Sequence, residues 1–364
     1  MMKKFIKKNK KILFIITGVV IAFVFFIIIF KKANKTLISK NIPTLPRPFV
    51  NLYDDKGNKV NVILVSHPFT RKTGNNGSYE QYKYWSQNKG IHFIGVTSYS
   101  EFPSVYSNPY DTLSNPNDHS WDHDYMKLFR VWLNCFRDPD KYIKDKTTKK
   151  ALISESDFIN EKFKPNSNYQ KEYDFMYICL EDDGNKNCNQ GWNYYIRNWE
   201  LAKKCFKVMC LQFKLKGLVI GRKKCKLPDG CEQYITIKDK MSQDKLLEHY
   251  HKTKFLFLPN FADASPRTLT EALACDMRCL VNYNILGGWK YVNEHTGEFF
   301  RNEKDIKPAL QKLLNNYDNY SPSQYFWNNY GKQNTGVKLR DFLIHNLPNL
   351  NFTKQSTKFI TMNI

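Results

Sequence analysis

No two of the nine cysteines stand in C-x-x-C spacing, which excludes the zinc knuckles and dithiol motifs built on that pattern. Cys225 and Cys231 flank LPDG, and Cys179 and Cys188 flank EDDGNKN. Each pair suits a small disulfide loop in an oxidising compartment; buried free thiols are the other reading. Acidic side chains are scarce as well, 34 against 56 lysines and arginines, for a formal net charge of +22. Such an excess raises nucleic acid as a partner. Six of the lysines, however, crowd into the first eleven residues, and more follow at 31, 32, 35 and 40. The excess belongs in part to a membrane flank, and nucleic acid is set aside as a partner.

Charge is absent altogether from residues 12–30, ILFIITGVVIAFVFFIIIF, a run long enough to cross a bilayer. No small-residue cleavage site follows, since the next residues are the basic KKANK. A retained transmembrane anchor fits this better than a removed signal. The heavier lysine cluster on the N-terminal side puts that end in the cytosol and the body in the lumen of the Golgi or ER, a type II arrangement. A cytosol-facing body is the alternative.

What remains has the composition of a globular protein, with 42% hydrophobic and 15% aromatic residues, enough for two cores. The divisions read as a basic tail (1–11), the anchor (12–30), a proline-bearing stem (31–58), a first α/β domain (59–168), a second (169–318) and C-terminal helices (319–364). The last fourteen residues read as frayed. In the first domain the strand pattern VNVILVSHPF carries His67 at its carboxyl end, before a loop with Gly74 and Gly77. ALISESDFI brings Glu155 and Asp157 to a later strand end. An Asp122-His123-Asp124 triplet leads straight into an amphipathic helix, where early acids favour the helix dipole. The competing reading is a metal-holding D-x-D. In the second domain EYDFMYICLEDDG, KGLVIGRKK and ITIK are strands, with Arg222 and Lys223 after the second and Ser242 capping a helix after the third.

Chemistry concentrates between Phe255 and Phe300. FLFLP is a buried strand stopped by Pro259. A loop with Asp263 follows, then Ser265 as expected N-cap and Pro266 at the first position of the helix TLTEALA. A further strand and the Gly287-Gly288 turn complete a βαβ unit, whose ligand edge lies at the strands' carboxyl ends. Asp263, seven residues and Glu271 resemble the E-x7-E signature of family 4 and related retaining GT-B glycosyltransferases. LVNYNILGGWKYV and TGEFF are similar to the strand, Gly-Gly turn and TG ending of the same family. The departure is aspartate in place of the first glutamate.

The resemblance implies two Rossmann-like domains facing a cleft, C-terminal helices that partly cross back to the first domain, and transfer of a sugar from a nucleotide-sugar donor to a glycan, lipid or protein acceptor. Glu271 would take the ribose hydroxyls, and Asp263 the donor sugar. The Ser265 to Thr268 backbone, with Arg267, Arg222, Lys223 and, more weakly, Arg197, would take the diphosphate. It further implies retention, a leaving group that helps deprotonate the acceptor, and no metal or other cofactor. His67 stands where a catalytic role is geometrically open. Rival readings are a catalytically inactive GT-B-like carbohydrate-binding protein and a metal-dependent GT-A transferase using Asp122 and Asp124.

Overall fold

The computed structural model describes residues 42–69, 77–88, 90–98, 102–103, 123–182 and 188–362. The apolar run 12–30, Gly74 and Asp122 lie outside the described residues. Among those described, no helix is long and apolar enough to cross a membrane.

Two six-stranded sheets organise the chain. The first contains β1 (Phe49–Asp54), β2 (Lys59–Val65), β3 (His92–Val96), β4 (Val131–Leu133) and β5 (Lys149–Ala151). From β2 to β5 the pairing is parallel, and β1 runs antiparallel to β2. Parallel strands covered on both faces read as unbroken apolar runs, because alternate side chains enter opposite cores. Val62 and Leu64 enter one, Ile63 and Val65 the other.

The second sheet contains β6 (Tyr173–Ile178), β7 (Gly217–Ile220), β8 (Ile235–Lys238), β9 (Thr253–Leu258), β10 (Arg278–Asn282) and β11 (Gly297–Phe300), in the order β11-β10-β9-β6-β7-β8. All its pairings are parallel. Phe255 and Phe257 of the central β9 face one core, Leu256 and Leu258 the other.

Two segments differ from the sequence reading. Residues Phe49–Asp54, placed in the stem, form β1, with Leu52 fully buried. The tail expected to fray contributes β12 (Ile360–Met362), antiparallel to β1 with Leu52 opposite Met362. Burial of Ile360 and Met362 holds it there. The helix Gly331–Asn346 packs on the first sheet, placing Leu339 and Leu343 in its core.

The disulfide differs too. Cys188 bonds Cys225, taking one member from each pair suggested by spacing. The loops after β6 and β7 lie side by side because those strands are neighbours, and this brings the two Cα atoms to 4.7 Å. Cys179 and Cys231 are buried free thiols.

Candidate active site

The loop from Pro259 to Pro266 leaves the carboxyl end of β9 and turns into the helix Arg267–Ala274. Its shape depends on the glycine pair. The Gly287 N–H donates to the Asp263 carbonyl at 2.9 Å, and a Cβ on Gly287 would lie 1.7 Å from the Ala264 oxygen. Gly288 follows with a left-handed φ of 81°, against Pro266.

Ser265 does not cap the helix. Pro266 holds that position, with no side-chain cap. The Ser265 hydroxyl instead meets those of Ser154 at 2.7 Å and Ser156 at 2.6 Å, in the turn after β5 of the first sheet. The helix start is left with open N–H groups, beside an exposed Arg267 that forms no ion pair among the described residues, and a half-buried Thr268.

Asp263 is buried, accepts from the Asn260 amide at 2.9 Å and pairs with Arg197. Glu271 is 3% exposed and accepts from Gln243 at 3.0 Å and from the Tyr250 hydroxyl at 2.9 Å. Burial raises its carboxyl pKa, against the two hydrogen bonds and the charges of Arg267 and Lys162. Both carboxylates of the D-x7-E pair thus flank the same helix start.

The remaining cations are differently employed. Arg222, 1% exposed, pairs with Asp182 and donates to the Asn189 carbonyl at 2.7 Å. Asp182 also accepts the N–H groups of Gly191, Asn193 and Tyr194 at 2.7 to 3.1 Å, anchoring the helix Trp192–Ile196. Arg222 is therefore part of a buried brace. Lys223 is exposed and paired with Asp239 at 3.0 Å.

In the first domain, His67 follows β2. Its Nε2 accepts from Arg47 at 2.5 Å, and its Nδ1 meets the Ser66 hydroxyl at 2.7 Å. The turn Glu155–Asp157 holds the two sheets together. Asp157 is buried, pairs with Lys290 at 2.8 Å and accepts from the Tyr291 hydroxyl. Asp124, the second acid of the D-x-D triplet, caps the helix Tyr125–Leu128 through the Lys127 N–H at 3.2 Å.

Sequence reasoning missed Ser154, Ser156 and Arg47. A signal existed for the first: Ser154 and Asp157 form a capping box, the S-x-x-D pattern of a turn start. Nothing local pointed to its partner Ser265, 111 residues away.

No family model matches the sequence, and no curated protein does. Among solved structures, sucrose-phosphate synthase from Thermosynechococcus elongatus aligns with 78% of this chain and 73% of its own, at 11% identity and a TM-score of 0.52. The fold is GT-B. The lipopolysaccharide outer core galactosyltransferase WaaB aligns with 74% of this chain and 72% of its own, at 13% identity and a TM-score of 0.47. The GT-B likeness agrees with the family resemblance read from Asp263 to Phe300, and at these identities it is a likeness of fold.

Proposed function

We propose that this GT-B protein is a glycosyltransferase that moves a sugar from a nucleotide-sugar donor to a hydroxyl-bearing glycan, lipid or protein acceptor, anchored to a membrane by residues 12–30. The observation that carries the reading is the uncapped start of the helix Arg267–Ala274, with an exposed Arg267 that forms no ion pair among the described residues, between Asp263 and Glu271. A helix start with free N–H groups and an adjacent guanidinium attracts a diphosphate. Glu271 receives the ribose hydroxyls once Gln243 yields its hydrogen bond. Asp263, oriented by Arg197 and Asn260, faces the donor sugar.

In the transfer, the acceptor oxygen bonds the anomeric carbon, with retention. The bond from that carbon to the diphosphate oxygen breaks with its electron pair on the diphosphate, and the acceptor proton passes to the same leaving group. The helix dipole and Arg267 stabilise the charge that develops there. Arg197 acts through Asp263, the carboxylate it holds. Counter-charge comes from the chain itself, so a chelator leaves turnover unchanged.

A second reading, an inactive carbohydrate-binding scaffold, is favoured by one observation: Asp263 is already paired with Arg197. Nucleoside diphosphate release in wild type and Glu271→Ala separates the two. Transfer predicts turnover in the first and a loss of roughly 100-fold or more in the second. Absence of turnover with preserved donor binding sinks the transferase reading.

A further inference from the structure

Three side chains of the turn after β5, those of Ser154, Ser156 and Asp157, are tied to the second domain. Ser154 accepts the Ser156 N–H, and Asp157 accepts the Ser154 N–H at 2.9 Å. Ser154 and Ser156 also grip Ser265. Asp157 holds Lys290 and Tyr291. Glu155 forms no hydrogen bond or ion pair with the second domain among the described residues. It is half-buried and accepts a hydrogen bond from Ser98, which lies just beyond β3. Its charged neighbours are Arg267 from the second domain and Arg47 from the first. Neither forms an ion pair with it among the described residues; Arg47 is turned to His67.

Glu155 is thus a carboxylate on a rigid turn at the ligand edge of the first sheet, within the electrostatic reach of the open helix start. Ionised, a carboxylate only accepts hydrogen bonds, so its complement is a donor such as a hydroxyl. Burial raises its pKa, while Ser98 and the two guanidinium groups oppose that shift.

We propose that Glu155 receives the hydroxyl group of the acceptor and aims its oxygen at the anomeric carbon of the donor. The inference rests on the glycosyl-transfer reading and deepens it by assigning the acceptor half of the cleft. The acceptor class is a neutral, hydroxyl-bearing one at the reacting end. Glu155 takes no proton from the acceptor. The hydroxyl proton goes to the leaving diphosphate as the new carbon–oxygen bond forms, so Glu155 orients the acceptor and does not store its proton. Asp157, two residues on, is held in the domain contact and takes no part.

The test uses the full chain as wild type, Glu155→Ala and Glu155→Gln, with UDP-glucose, UDP-galactose, UDP-N-acetylglucosamine and GDP-mannose as donors. Donor binding is read by calorimetry. Nucleoside diphosphate release is read with water and with methyl hexosides as acceptors. The expected result is donor affinity within about threefold of wild type in both variants, release reduced roughly 30-fold in Glu155→Ala, and partial recovery in Glu155→Gln, whose amide oxygen still accepts. Release in Glu155→Ala within threefold of wild type overturns the inference and leaves the transferase reading standing. Equal loss of donor affinity and release in Glu155→Ala overturns it as well, since the residue then serves the donor or the fold. Glu155→Gln as inactive as Glu155→Ala overturns the orienting role. A wild type that binds none of the donors overturns both readings together.

Discussion

Arg222 and Arg267 are the same residue type, one in the turn directly after β7 and the other at the start of the helix that follows β9, and the molecule treats them in opposite ways. Arg222 is buried, paired with Asp182 and tied to Asn189. Arg267 is exposed at an uncapped helix start with no ion pair among the described residues. A basic residue after a strand is therefore not by itself a phosphate ligand. What separates the two is whether a carboxylate of the chain already holds the guanidinium, and only the unheld one has hydrogen-bonding capacity for a ligand.

The largest expected effect lies in the Arg222 brace. Asp182→Ala leaves a buried guanidinium without counter-charge and three N–H groups without their acceptor. An expected loss of about 3–5 kcal/mol in denaturant unfolding follows from removing one partner of a buried pair. A loss below about 1 kcal/mol would show that Arg222 finds water and resembles Arg267 after all. Asp157→Asn strips the charge opposite the buried Lys290 while keeping the shape, and is expected to cost about 1–3 kcal/mol. Limited proteolysis between the domains should rise with it.

Glu271, buried where Arg267 is exposed, makes stability depend on pH. Its folded-state pKa is raised by burial, so the folded protein holds this proton more tightly than the unfolded chain does. The resulting stabilisation is fully present below the unfolded carboxyl pKa and lost as pH rises through the folded value. Glu271→Gln, which keeps hydrogen-bonding capacity without charge, should therefore raise the Tm at neutral pH by roughly 2–4 °C for each 1 kcal/mol recovered. The gain should vanish below about pH 4. The same variant should bind donor more weakly, so stability and function move apart. An unchanged or lower Tm at neutral pH contradicts the account. The smallest expected effect is that of Ser265→Ala, about 1 kcal/mol or less for hydroxyl contacts that Ser154 and Ser156 can partly replace with each other. A loss above about 2 kcal/mol would make Ser265 a principal domain contact.

Much of the second sheet was legible because its signals are local. FLFLP, the D-x7-E spacing and Gly287-Gly288 each lie within one βαβ unit, where spacing along the chain fixes position in space. The role of Ser265 was not legible: an N-cap reading is the natural local one, and its actual partners come from the other domain. β1 and β12 escaped for the same reason, since Leu52 and Met362 pair across almost the whole chain. Arg222 shows a further limit. Sequence supplies the charge, but Asp182, forty residues earlier, determines whether that charge is available.

On the proposed reading, the open helix start and Arg267 hold a donor diphosphate. Its most direct test is calorimetric titration of the full chain with the four nucleotide sugars, as wild type and as Arg267→Ala. The account predicts that at least one donor binds the wild type and that Arg267→Ala weakens it about 10- to 100-fold, or roughly 1.4–2.8 kcal/mol, with the Tm of the free protein unchanged. Binding of equal strength in Arg267→Ala, or no binding of any donor to the wild type, would contradict it.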